Sequence, residues 1–122
     1  MRKVILLVVF CFTVINVNAQ TSKELAGKWQ LVKLTKNGSD IALKQQFKTD
    51  QVFQIFKDDG KFEGVNGDKT VKGKWKLSED NKILTVTVNG TDVNFSVDYF
   101  DIKKRIITHE QLGTLEYNKI SN

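Results

Sequence analysis

Acid–base or metal chemistry in this chain would have to come from a short inventory. The 122 residues contain one histidine, His109, and one cysteine, Cys11. That count excludes a disulfide framework and the four-cysteine or two-cysteine, two-histidine zinc clusters. His109 has no second histidine or cysteine with which to share a transition metal. No Gly-x-Ser-x-Gly elbow supplies a nucleophile for it to activate. It reads as a surface or strand-end histidine. Asp58, Asp59 and Glu63 gather round one turn, with Asp68 on the next. Such oxygen ligands would suit calcium, but the spacing of a calcium loop is missing and Asp59-Gly60 is already explained by a tight turn. Asp98 and Asp101 flank Tyr99, yet glycoside chemistry needs two carboxylates at a defined separation, and alternation turns Asp98 away from the Tyr99 face. The expectation is a protein with no catalytic residue, no metal and no cofactor.

Binding chemistry is better represented. Trp29, Phe53, Phe62, Trp75, Phe95 and Tyr99 are expected to face inward. They would line an apolar ligand pocket, with Tyr99 as its polar handle, or fill the interior as core. Lys72, Lys74 and Lys76 form an outward stripe. It would dock on acidic headgroups or an anionic partner, or serve as a solvated strand face that resists edge pairing. Nucleic acid is not an expected partner, because the lysines are dispersed and the net charge of the whole chain is only +5.

These residues need elements to position them, and the first nineteen positions are set aside. Arg2 and Lys3 precede an uncharged, mostly apolar run from Val4 to Ile15, followed by Val17 and Ala19 at −3 and −1 of a cleavage point. Twelve residues are too few to span a bilayer. The segment reads as a secretory signal, residues 1–19, cut before Gln20. Phe10 before Cys11 argues against a lipoprotein signal. The remaining single domain, residues 20–122, has no cysteine or proline, and its 17 basic and 14 acidic residues give +3. It is expected in the periplasm or beyond, held by an ordinary hydrophobic core.

Asn37-Gly38, Asp59-Gly60, Asn66-Gly67 and Asn89-Gly90 punctuate this domain with dipeptides suited to two-residue hairpins. Between them, Val71, Gly73, Trp75 and Leu77 alternate with Lys72, Lys74 and Lys76, and Val93, Phe95, Val97 and Tyr99 alternate with Asn94, Ser96 and Asp98. Period-two patterning predicts antiparallel strands near 27–35, 51–57, 61–66, 70–77, 82–89, 92–100, 103–109 and 112–119. Val32 and Leu34 break the parity of Trp29 and Leu31, which predicts a bulge or a strand buried on both sides. One helix is expected near 40–48, capped by Ser39 or Asp40, with Leu43 and Phe47 on one face. The fold class is all-β, a small up-and-down antiparallel barrel of about eight strands with one short helix between the first two. A β-sandwich is the alternative.

Leu25-Ala26-Gly27-Lys28-Trp29-Gln30-Leu31, Phe56-Lys57-Asp58-Asp59-Gly60-Lys61-Phe62, Gly73-Lys74-Trp75-Lys76-Leu77 and Lys82-Ile83-Leu84-Thr85-Val86 follow one another in this order. The set resembles the short lipocalin-like domains of exported bacterial proteins, across roughly residues 24–119. The resemblance implies an up-and-down barrel that binds a small molecule or lipid without catalysis. Lipocalins usually pair the Gly-x-Trp tryptophan with an arginine of the last strand. The last strand here offers Lys119, and Arg105, one strand earlier, is the candidate to cover Trp29.

Two functions follow as expectations. The first is an exported binder of a small apolar or amphipathic molecule, with Trp29 closing the base. The second is a non-catalytic interaction or inhibitor protein with a filled barrel, acting through loops or the lysine face.

Overall fold

The computed structural model describes residues 24–121. The expected signal segment, Cys11 and the cleavage point before Gln20 lie outside the described residues. In chain order the elements are β1 (Gly27–Lys36), β2 (Ser39–Ile41), α1 (Leu43–Phe47), β3 (Val52–Phe56), β4 (Lys61–Asn66), β5 (Lys69–Leu77), β6 (Ile83–Val88), β7 (Thr91–Phe100), β8 (Lys104–His109) and β9 (Gly113–Ser121). All strand pairs are antiparallel neighbours in the order β2-β1-β3-β4-β5-β6-β7-β8-β9, and β1 also pairs with β9. The result is the expected closed barrel of eight strands. On one edge, β1 pairs first with β3 (Gly27–Gln30) and then with β2 (Leu34–Lys36). The short strand β2 thus continues the wall where β3 stops.

Turn chemistry explains the meander. Asn37-Gly38 joins β1 to β2 and Asn89-Gly90 joins β6 to β7, with φ of 54°, 81°, 53° and 78°. Positive φ at both central residues matches the right-handed twist of a hairpin. The other two dipeptides behave differently. Asn66 is the last residue of β4 and pairs with Lys69, so the turn is Gly67-Asp68. Between β3 and β4, Lys57 N–H donates to the Lys61 carbonyl, leaving a three-residue loop, Asp58-Asp59-Gly60, with Gly60 at φ 91°. The β7–β8 turn has no glycine. Asp101 Oδ1 makes it, accepting the N–H groups of Lys103 and Lys104 at 2.7 Å each.

Three register shifts interrupt the pairing: one lies between Lys28 and Trp29 against the end of β9, and the other two bear on the candidate residues. Against β9, the register of β1 shifts between Leu31 and Lys33, so Val32 is pushed outward while Leu31 and Leu34 are both buried. The expected bulge is there. Against β8, the register of β7 shifts between Val97 and Tyr99. The helix is shorter than 40–48. Ser39 and Asp40 belong to β2 and do not cap it; Ala42 stands at its N-terminus with no side-chain cap. Leu43 and Phe47 pack against the core, as their spacing required.

At the barrel seam, a Cβ on Gly113 would lie 2.4 Å from the Thr35 carbonyl oxygen. Only a residue without a side chain lets β9 approach β1 this closely. No helix among the described residues is long and apolar enough to cross a membrane.

Candidate ligand-binding cavity

The strand directions give the barrel two unlike ends. At one end lie the chain start, the 58–60 loop, the 101–103 turn and the end of β9. Aromatic side chains fill the interior of this end, and an open groove of ≈ 690 Å³ runs beside it between Gly27, Ile55 and the 58–60 loop. Trp29 is fully buried, and its Nε1–H donates to the Leu25 carbonyl at 2.9 Å. Phe100 meets it edge-on at 6.0 Å between centroids. Phe56 packs edge-on against Phe62 at 5.2 Å and Trp75 at 5.6 Å. Trp75 Nε1–H donates to the Lys57 carbonyl at 2.8 Å, tying the loop to the wall. Lys119 Nζ lies 5.5 Å from the Trp29 ring and donates to the Glu24 carbonyl at 2.8 Å.

Arg105 sits at the centre, 0% exposed. Its guanidinium carbon is 4.3 Å from the Tyr117 ring centroid, 4.7 Å from Phe56 and 4.9 Å from Trp29. Three electron-rich faces replace part of the hydration the cation has lost. One hydrogen bond, from Nη2 to Gln54 Oε1, completes its contacts, and Nε and Nη1 have no partner. Burial disfavours the charged form and lowers the Arg105 pKa to about 10. Burial likewise raises the Tyr117 phenol to about 12, with the Arg105 charge pulling back.

The other end is open. Above Arg105 lies a cavity of ≈ 400 Å³. Its wall carries Val52, Phe62, Phe95 and Leu115; Gln54 and Tyr117, which touch Arg105, mark its deep side. Phe47 of α1 and Leu112 of the β8–β9 turn lie towards the mouth, and Asn66, Lys69 and Val71 form its rim. Gly64 also lines it, and the missing side chain leaves room beside Phe62. The volume falls at the low end of the ordinary range for small-molecule sites, roughly 300–1,000 Å³.

The residues and their spacing match the family of C-terminal lipocalin-like domains over residues 12–111. The chain belongs to that family. Among solved structures, a lipocalin-like protein from Bacteroides uniformis is 20% identical, covering 80% of this chain and 99% of its own, with a TM-score of 0.63. An uncharacterized protein from Bacteroides eggerthii is 18% identical over 78% of this chain and 98% of its own, with a TM-score of 0.59. A third, a duf4847 family protein from Bacteroides vulgatus, is 14% identical over 80% and 94%, with a TM-score of 0.55. At these identities the likeness concerns the fold. No curated protein matches the chain significantly.

Within this lipocalin-like barrel the six expected aromatic residues separate. Phe62 and Phe95 are inward and line the cavity. Trp29 and Trp75 are inward too, but belong to the packed end, so they hold the barrel and do not line the cavity. Phe53 is corrected. Val52, Gln54 and Phe56 take the inner face of β3, and the Phe53 ring lies on the outer face under Lys28 Nζ, 4.5 Å from its centroid. Phe53 does border the cavity, but with its ring turned towards Lys28 rather than inward. Tyr99 is corrected as well. The β7 bulge puts it outside, 47% exposed, with its hydroxyl donating to Asp101 Oδ2 at 2.7 Å, and turns Phe100 inward against Trp29. Gln54 and Tyr117, like Val52 and Leu115, are among the cavity residues that sequence reasoning missed.

The remaining candidates fall outside the cavity or at turns. His109 Nδ1 accepts the N–H groups of Gln111 and Leu112 at 3.1 and 3.3 Å, so this histidine shapes the β8–β9 turn. Glu63 pairs with Lys57 at 2.9 Å, which lowers its pKa. Lys72, Lys74 and Lys76 are exposed on the outer face of β5.

Proposed function

We propose that this chain is an exported, non-catalytic protein that sequesters a small apolar or amphipathic molecule in the open end of its barrel. The observation that carries this is the division of the interior. Trp29, Arg105, Phe56 and Trp75 pack together at one end, and the ≈ 400 Å³ cavity lies beyond them, walled by Val52, Phe62, Phe95 and Leu115. Each 100 Å² of apolar ligand surface removed from water there would stabilise the complex by about 2.5 kcal/mol. The filled-barrel interaction protein is the weaker reading, because a solid interior was its premise. Export rests on the charged, apolar and small-residue pattern of residues 1–19, and N-terminal sequencing of exported material beginning at Gln20 is its test.

Trp29 and Trp75 lie away from the cavity, so their fluorescence is a poor reporter. Titration with N-phenyl-1-naphthylamine, whose emission rises in apolar surroundings, reads the site directly. We expect saturable binding that is lost in Val71→Trp, which plugs the mouth from a half-exposed position. Absence of probe binding, and of any co-purified small molecule in native mass spectra, would overturn the reading.

A further inference from the structure

Arg105 is a buried cation without a counter-ion. None of the ion pairs among the described residues includes it, and Nε and Nη1 have no hydrogen-bond partner. Aromatic faces compensate a guanidinium less completely than an acid does. Its one hydrogen bond also fixes the neighbouring amide. Gln54 turns its carbonyl oxygen to Nη2, which leaves the NH₂ end of the carboxamide unused. Gln54 and Tyr117 both line the cavity, and neither the Gln54 amide nitrogen nor the Tyr117 hydroxyl donates to another described residue. No carboxylate belongs to the lining. The deep side of the cavity therefore offers two spare donors backed by a buried positive charge, while the walls above it are apolar.

We infer that the ligand is an anionic amphiphile bound head inward, its carboxylate or similar oxygen acid seated on Gln54 and Tyr117 within the field of Arg105. The inference rests on the cavity reading and names the ligand class for it. The apolar part packs between Phe62, Phe95, Leu115 and Val52. At roughly 30 Å³ per water-sized group, the cavity takes about ten to thirteen heavy atoms. That is a medium-length chain or a small ring system. Lys69 at the rim would favour the opposite orientation, head outward, and this is the competing outcome.

The test is displacement of N-phenyl-1-naphthylamine from the purified chain by decanoate, decanol and decylamine at neutral pH. Decanoate is expected to compete about tenfold better than decanol, and decylamine worst. Tyr117→Phe and Gln54→Leu should each remove most of the decanoate preference and leave decanol unchanged. Tyr117→Phe keeps the ring over Arg105, so it remains informative if Gln54→Leu misfolds. Lys69→Met should keep the preference. Equal competition by decanoate and decanol, or a preference lost in Lys69→Met and kept in Tyr117→Phe, would overturn the inward head while leaving a binding cavity. Failure of the naphthylamine itself to bind would remove the cavity reading, and this inference with it.

Discussion

Arg105 and Tyr117 are stacked, the guanidinium carbon 4.3 Å from the phenol ring centroid, and the pair separates the cavity from the packed end of the barrel. The other faces of the cation meet Phe56 and Trp29. One side chain therefore serves as core filling below and as a source of positive potential above. These two roles can be separated by substitution.

Arg105→Met keeps most of the volume and removes the charge. Replacing a buried charge by an apolar group of similar size is often neutral or stabilising. The urea midpoint is therefore expected to correspond to a change within about 1.5 kcal/mol. Arg105→Ala leaves a void among three rings and is expected to cost about 2–4 kcal/mol. A loss of more than about 3 kcal/mol in the methionine variant would mean that the stacked cation itself holds the barrel closed.

Much of this architecture was legible in the chain, and each miss has its own physical cause. Trp29, Phe62, Trp75 and Phe95 face inward as alternation required, and the broken parity at Val32 marked a real bulge. Phe53 failed through a turn. A two-residue loop at Asp59-Gly60 would place Phe53 and Phe62 on one face. The loop has three residues, so Phe56 stands opposite Phe62 and every side chain of β3 changes face. Neither parity of Val52-Phe53-Gln54-Ile55-Phe56 is distinctly polar, so the strand alone could not settle it. Tyr99 failed through the bulge at Val97, which no glycine announces. Asp101, two residues later, was the available signal for the turn beyond it. Gln54 and Tyr117 were overlooked because their importance comes from Arg105, a contact made across the barrel.

The two tyrosines should titrate apart. Tyr99 is exposed, and its hydrogen bond to Asp101 raises its pKa. Burial raises Tyr117 further, to about 12. A phenol whose folded pKa is raised stabilises the fold fully below its unfolded value near 10. That contribution is lost as pH climbs through about 12. Arg105 works in the opposite direction above pH 10, because burial has lowered its folded pKa. Phenolate absorbance avoids this overlap, since arginine does not contribute to it. We expect one tyrosine to ionise with the fold intact, the second only near pH 12 or with unfolding, and Tyr99→Phe to abolish the first step. Reversible ionisation of both near pH 10 would contradict the burial of Tyr117.

Gly113 should be the least replaceable glycine at the seam. Its φ is 103°, and an added Cβ would press on the Thr35 carbonyl at 2.4 Å. Gly38 also has positive φ, 81°, but nothing within 4 Å. Gly38→Ala is expected to cost about 1 kcal/mol from backbone conformation alone. Gly113→Ala should cost more than about 2 kcal/mol, because backbone on both sides must move. Hydrogen exchange provides the local check. Faster exchange in Gly113→Ala should concentrate on the β1–β9 pairs near Thr35 and Thr114. Uniform acceleration around the barrel would show that closure does not depend on that contact.

Aromatic residues on the outer face give the last test, because they separate core composition from cavity composition. Tyr99 is 47% exposed, and Phe53 lies beneath Lys28 on the outside of β3. Tyr99 does not border the cavity, and Phe53 borders it with its ring turned outward under Lys28. Tyr99→Ala is expected to change stability by less than about 1 kcal/mol, and Phe53→Ala by about 1 kcal/mol through its lost cover from Lys28 and Val65. Naphthylamine affinity should stay within about threefold in both. Phe95→Leu changes the cavity wall itself and should alter affinity more than either outer substitution, at a core cost of about 1–2 kcal/mol. If Tyr99→Ala or Phe53→Ala weakened binding as much as Phe95→Leu, the ligand would occupy the outer surface of the sheet. The bulge at Val97 and the three-residue loop at Asp58 would then be shaping a surface site, and the interior would be core alone.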